Sequence, residues 1–349
     1  MLRKILLNGF YFSGLQAATA PVTQGIGSIL MLHHVQNIEC KPFSPNCHLS
    51  VSPEFLDAVI LRLKLEGYEF VSMDEVVDRL KNPEAAKSEK PFLCVTLDDG
   101  YRNNLENAVP IFRRHEVPYT IYVAPGLTEG KHTLWWEDLE IVIASRKKVI
   151  VEFPDGPATF ITATPKQKLQ AYKALIHRLV LDSSEPQQRQ IIADLCVKYN
   201  HDAVAHAKSS IMTWKMLQKL NKDPLCTLGA HTIGHFALAK LSRDEAIQEM
   251  SNSRALIEEK TGKKAKHFAY PYGYPVAAAE REFELARELG FESAVTTRHG
   301  VVYEDHEKHL CALPRISVNG SHQSMRYIHT LLSGLPTRVK NAGGKLDIA

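Results

Sequence analysis

The chain has 349 residues, 44% of them apolar and 23% charged, with 19 glycines and 18 prolines, which excludes a disordered segment, a collagen and a disulfide-stapled miniprotein. With 42 lysines and arginines against 39 acidic residues, the formal charge is only +3. The dense positive field of a nucleic-acid binder is absent, so no nucleic acid is expected as partner.

At the amino terminus, Arg3 and Lys4 precede a moderately apolar stretch, and Ala18-Thr19-Ala20 has the small-residue spacing of a signal-peptidase site. Asn8, Gly9, Ser13 and Gln16 interrupt the apolar run, and no stretch is long and apolar enough for a membrane span. Residues 1–27 are therefore expected to form an amphipathic segment that packs on the domain or touches a membrane surface, in preference to a cleaved signal. The expected compartment is the cytoplasm, with membrane association, and the periplasm or cell envelope is the alternative. Six scattered cysteines without a CxxC pair are expected to be reduced and structural, although Cys40 and Cys47 are able to pair if oxidised.

Short apolar runs then alternate with longer helical patterns. Strands are expected at 28–32, 69–71, 92–97, 119–123, 226–229, 267–270, 293–296 and 313–316. Helices are expected at 53–66 behind Ser52, at 103–115, and after Ser242, where Glu245 completes a capping box and Gly262 supplies the left-handed C-cap. This alternation predicts an α/β fold, a distorted barrel of seven or eight strand–helix units over residues 28–320, followed by a C-terminal helix and basic tail over 321–349. Residues 129–225 separate two strands by more than one connecting helix needs. They are expected to be an insertion with helical patterns at 166–181 and 185–199 and a helix capped by Thr213.

The polar residues of chemical interest follow expected strands, which in a parallel barrel gathers them on one face. Asp98 and Asp99 end the strand at 92–97, where two adjacent carboxylates are costly unless a cation or hydrogen-bond donors hold them. His231 and His235 follow the strand at 226–229. If the segment turns helically, their i, i+4 spacing points both imidazoles one way, and with Asp99 they make a two-histidine, one-carboxylate site for a divalent metal. The turn after the strand at 267–270 carries Tyr272, whose backbone N–H is a candidate oxyanion donor. Tyr272, Tyr274, Trp135 and Trp136 are candidates to line a substrate site with their ring faces, or are core.

Three segments together resemble the motifs of the polysaccharide deacetylases of carbohydrate esterase family 4, which include the chitooligosaccharide deacetylases: Thr96-Leu-Asp-Asp-Gly100, His231-Thr-Ile-Gly-His235 and Tyr270-Pro-Tyr-Gly273. The resemblance spans residues 28–318 and implies Asp98 as general base, with Asp99, His231 and His235 as metal ligands. An arginine usual in the third motif is replaced by Ala269, and the late tryptophan and leucine-histidine motifs are not evident, so the usual general acid is missing. Met31-Leu-His-His-Val35 resembles the amino-terminal histidine motif of the poly-N-acetylglucosamine deacetylases, which implies His33 as acid. Arg315 is a candidate to replace the missing arginine by pairing with Asp98, or forms a structural salt bridge.

The implied reaction is metal-dependent hydrolysis of an N-acetyl group on an amino-sugar polysaccharide, oligosaccharide or glycolipid, releasing acetate. Zinc suits the ligand set first, and cobalt, nickel, manganese or iron are accepted by the same donors. The competing readings are a metal-dependent hydrolase of another ester or amide on the same scaffold, and a carbohydrate-binding relative without catalysis.

Overall fold

The computed structural model describes residues 2–82 and 91–348; Met1 and Ala349, the ends of the two expected terminal segments, lie outside the described residues. Among the described residues twelve strands are present: β1 (Gly27–Leu32), β2 (His34–Val35), β3 (Ser50–Val51), β4 (Glu69–Val71), β5 (Phe92–Leu97), β6 (Tyr119–Val123), β7 (Lys148–Phe153), β8 (Gly156–Ile161), β9 (Cys226–Ala230), β10 (His267–Ala269), β11 (Ser293–His299) and β12 (Leu313–Ser317). Seven run parallel in the order β1-β12-β11-β10-β9-β6-β5, and pairing of β1 with β5 closes them into a barrel. The eighth parallel strand, β4, lies beside the first half of β5, pairing at Phe92 to Cys94, while β6 takes the second half at Val95 to Leu97.

Side chains along a strand alternate between the barrel interior and the surrounding helices. Ile29, Cys94, Tyr122, Ala269, Val295 and Leu313 share one apolar cluster inside, whereas Leu30, Leu93, Val95, Ile121 and Leu228 join the larger cluster under the helices. Strands covered on both faces must be apolar throughout, and β1, β5 and β6 are buried at every position. Gly229 makes room for the Tyr122 ring, since a Cβ there would come within 2.4 Å of it.

The amino-terminal segment forms two helices, Leu2–Phe12 and Leu15–Thr23, broken at Gly14 with φ 71°. Leu7 is buried, whereas Ile5, Leu6, Phe12 and Leu15 are exposed. Thr23 donates to the Ser333 carbonyl (2.6 Å) and accepts from Tyr303 through its own carbonyl (2.6 Å), tying this segment to the carboxy-terminal helices Met325–Leu332 and Leu335–Lys340. Among the described residues no helix is long and apolar enough to cross a membrane.

Between β6 and β9 the chain builds a second apolar core around the helices Trp135–Ser145, Pro165–His177 and Glu185–Lys198. The helical patterns of the sequence leave 148–161 unassigned; the segment forms an antiparallel hairpin of β7 and β8. The buried Val149, Val151 and Phe153 alternate with less buried residues, and Pro154-Asp155 supplies the turn, followed by Gly156 at φ 117° where β8 begins.

The expectation of six reduced cysteines is corrected: Cys40 and Cys47 form a disulfide, and Cys94, Cys196, Cys226 and Cys311 are free. The turn leading into the short helix Cys47–Leu49 brings the two Cα atoms to 5.7 Å, a proximity that a sequence separation of 7 does not reveal.

Candidate active site

Asp98 and Asp99 leave β5 at the end of the barrel where the chain passes into loops. The Asp98 amide donates to the Leu32 carbonyl (3.0 Å), extending the β1–β5 ladder by one step and keeping the Asp98 side chain inside the barrel mouth. Asp99 then adopts φ 70° and Gly100 φ 75°, two left-handed residues in succession. The reversal sends neighbouring carboxylates to different partners.

Asp98 meets Arg315 of β12. The guanidinium donates from both terminal nitrogens to both carboxylate oxygens at 2.7 Å, and it is fixed in turn by donation from Nε to the Thr296 carbonyl (2.8 Å) and from Nη1 to Thr96 Oγ1 (3.1 Å). Both side chains are buried. Burial pushes the Asp98 carboxyl up, but the charge and paired hydrogen bonds of Arg315, with His231 and His33 nearby, outweigh it and hold the group below the usual carboxylate range. Asp98 is therefore ionised at neutral pH and retains lone pairs beyond those that Arg315 occupies.

Asp99 meets the two histidines. Its Oδ1 lies 3.4 Å from His231 Nε2 and 3.2 Å from His235 Nε2, and that oxygen is buried without a partner in hydrogen-bond geometry. His231 is oriented from behind, because its Nδ1 donates to the Ala269 carbonyl (2.6 Å), which leaves Nε2 with its lone pair toward Asp99. A carboxylate oxygen and two imidazole nitrogens that converge without hydrogen-bond alignment are the donor set of a divalent cation, so these three residues fit a metal ion. Burial raises the Asp99 carboxyl, yet His231 and His235 bring it well below the usual range. Burial lowers His231, but Asp99 and Asp98 raise it above the ordinary imidazole value; His235 is pushed down to about 4, chiefly by burial.

The helical turn expected over 231–235 is corrected. The segment is an irregular loop with left-handed backbone at Thr232 (φ 59°) and His235 (φ 54°), and this geometry, not i, i+4 spacing, aims both rings. Two side chains that sequence reasoning missed hold the loop. Glu249, from the helix Arg243–Thr261, accepts from the amides of Ile233 (2.9 Å) and Gly234 (2.8 Å). Arg189, from the insertion, donates to the carbonyls of Gly234 (3.2 Å) and His235 (2.9 Å). No local pattern marks either residue, since both act on backbone groups far along the chain.

His33 and His34 diverge after β1. His33 faces the site, with Nε2 4.0 Å from Asp98 Oδ2 and its side chain 21% exposed; burial lowers its pKa below 6.5, a shift that Asp98 and Asp99 partly offset. His34 turns away to Glu137 (2.9 Å) and Asn103 (2.8 Å). Glu137 also accepts from Tyr101 (2.8 Å) and pairs with His206 (2.8 Å); burial pushes its carboxyl up, but these histidines bring it down to about 2.

A cavity of about 250 Å³ unites these groups: His33, Asp98, Asp99, His231, His235 and Tyr272 all line it. The Pro271-Tyr272 turn is pinned by Thr297, which donates to the Tyr272 carbonyl (2.5 Å), and Tyr272 sits at φ 62°. Trp135, 2% exposed, donates from its indole to the Tyr272 hydroxyl (2.8 Å) and forms wall, not an open ring face. Trp136 packs its ring 4.8 Å from that of His235, while Tyr272 and Tyr274 are half-buried at the cavity's edge.

A family model described as polysaccharide deacetylase matches residues 85–294, more than half of the chain. The chain belongs to the polysaccharide deacetylase family. Solved structures share its fold. The deacetylase PplD of Streptococcus pyogenes, solved with acetate, superposes with a TM-score of 0.57 at 20% identity over 87% of this chain and 97% of its own. IcaB of Ammonifex degensii gives 0.54 at 17% over 88% and 98%, and the BpsB deacetylase domain of Bordetella bronchiseptica gives 0.51 at 15% over 84% and 95%. No curated protein matches the sequence.

If His231 is a direct donor, His231→Ala should weaken metal binding by more than the ~10–100-fold that loss of an outer-shell partner costs. Occupancy in the unaltered protein should also fall with pH as protonation of His231, raised above 6.5, competes with the ion. Equilibrium dialysis at several pH values checks both; undiminished affinity in the variant would remove His231 from the ligand set.

Proposed function

We propose that the chain is a metal-dependent hydrolase that removes N-acetyl groups from an amino-sugar polysaccharide, oligosaccharide or glycolipid and releases acetate. The observation that carries this reading is the placement of an arginine-held carboxylate, Asp98, beside the convergent Asp99, His231 and His235 in one cavity. A divalent ion bound by Asp99, His231 and His235 would polarise the acetyl carbonyl and lower the pKa of a water to about 7. Zinc is the first choice for this donor set.

Asp98 accepts a proton from the attacking water. Its ionised state favours that role, and Arg315 fixes its orientation. His33 is the acid that protonates the departing amine. Its position 4.0 Å from Asp98 lets one group take a proton while the other delivers one on the same side of the cavity. The Tyr272 amide makes no hydrogen bond to another group among the described residues, which supports its use as oxyanion donor. The half-buried Tyr272 and Tyr274 offer apolar surface to a sugar ring.

The exposed Ile5, Leu6 and Phe12 of the first helix support peripheral contact with a membrane surface, and the Cys40–Cys47 disulfide favours an oxidising compartment such as the envelope.

Acetate release from N-acetylated glucosamine oligomers, polymer and glycolipid, measured after chelation and then metal-by-metal restoration, tests this reading. Acetate should appear only with metal restored and only from N-acetylated sugars. Release from simple esters or cyclic amides but not from sugars would favour another hydrolase, and glycan binding without acetate would favour a carbohydrate-binding relative.

A further inference from the structure

The insertion holds a second set of metal-ligating side chains that the deacetylase chemistry does not use. Asp138 lies on the helix Trp135–Ser145, Cys196 on the helix Glu185–Lys198, and His201 just beyond the end of the latter. Asn200, at φ 55°, reverses the chain there, and the His201 amide donates to the Cys196 carbonyl (2.9 Å), so the imidazole returns toward the helix it has just left. One donor atom from each of Asp138, Cys196 and His201 lies within 4.8 Å of the other two.

Two features point to an ion. Asp138 is fully buried; its Oδ1 lies 2.7 Å from His201 Nε2, but its Oδ2 is buried with no hydrogen-bond partner. A buried carboxylate oxygen left without a donor is costly, and such orphans in native structures call for a ligand. The Cys196 thiol, 3% exposed and free, supplies a soft donor at the same point. We propose that Asp138, Cys196 and His201 form a second, structural divalent-metal site, for which zinc is the fitting ion because it takes thiolate, imidazole and carboxylate together. Binding releases the thiol proton to solvent. The His201 side chain keeps 15% exposure, which leaves a path for the ion and for a water in the fourth position.

The site joins two helices that shape the catalytic cavity. One carries Trp135 and Trp136 of its wall, and the other carries Arg189, which holds the carbonyls of the His235 loop. The ion thus ties the insertion together behind the active site, and the proposal stands independently of the reaction carried out there.

Cobalt substitution of the full chain tests it. The Asp99, His231 and His235 site offers no thiolate, so a near-ultraviolet sulfur-to-cobalt charge-transfer band reports on a cysteine ligand, which Cys196→Ser assigns among the four free thiols. The band should be present in the unaltered protein, persist in His231→Ala and vanish in Cys196→Ser. Zinc content should be two equivalents per chain, falling to one in either variant. A single equivalent with no charge-transfer band in the unaltered protein, or a band that survives Cys196→Ser, overturns the proposal. Both readouts exist in the unaltered protein, so a Cys196→Ser chain that fails to fold leaves the test intact. His231→Ala separates failure of this site from failure of the catalytic one.

Discussion

Asp98→Asn should lower kcat/KM for acetate release by on the order of 10²- to 10⁴-fold with metal content unchanged, the range associated with loss of a positioned general base. The substitution keeps the shape of the side chain and one acceptor for Arg315 but removes the charge and the basic oxygen. Arg315 keeps its bonds to the Thr296 carbonyl and Thr96 hydroxyl, so the guanidinium is not left orphaned and the barrel should still close. Metal should be retained because the proposed ligands are Asp99 and the two histidines, whereas Asp98 pairs with Arg315. Steady-state kinetics with metal analysis on the same preparation checks the pair of outcomes. Undiminished turnover would remove Asp98 as base, and loss of metal along with activity would make it a ligand.

Arg315→Met should act through pH. In the unaltered protein the Asp98 carboxyl sits below its unfolded value, so the pair contributes stability that is present above about pH 4 and is lost as pH falls through the lower folded value. Without the guanidinium only burial remains as the major influence, and the Asp98 pKa should rise above the unfolded one. The ionised form then destabilises the fold as pH increases. The variant should be less stable at neutral pH by about 3–5 kcal/mol, the cost of breaking a buried pair, and the deficit should shrink toward pH 4. The acidic limb of kcat/KM should move to higher pH by the same change in Asp98. Denaturant unfolding across pH, beside the kinetic profile, measures both. A deficit independent of pH with an unmoved acidic limb would assign Arg315 a packing role alone.

Much of this site is legible in the sequence because a parallel barrel gathers its strand ends. Asp98 and Asp99 after β5, His231 after β9 and Tyr272 after β10 reach one cavity by that rule, without any knowledge of the loops between them. Barrel strands such as β1, β5 and β6 are readable since they are buried at every position and punctuated by turns. What is not legible depends on backbone reversal or on contacts across long separations. The convergence of His231 and His235 comes from left-handed residues in a loop, which the HxxxH spacing disguises as a helix. Arg189 and Glu249 act on carbonyls and amides, which carry no sequence signature. The hairpin over β7 and β8 had a signal, alternation on either side of Pro154-Asp155-Gly156, but it is overshadowed by the helical patterns around it. Pairing of Cys40 with Cys47 depended on one turn.

The proposed hydrolysis requires a cation held between Asp99 and the two imidazoles, which anomalous diffraction at the zinc edge from crystals of zinc-loaded protein would reveal. A peak is expected about 2.0–2.2 Å from Asp99 Oδ1, His231 Nε2 and His235 Nε2. Protein that releases acetate from an N-acetylated glycan yet shows no anomalous density at that position would contradict it.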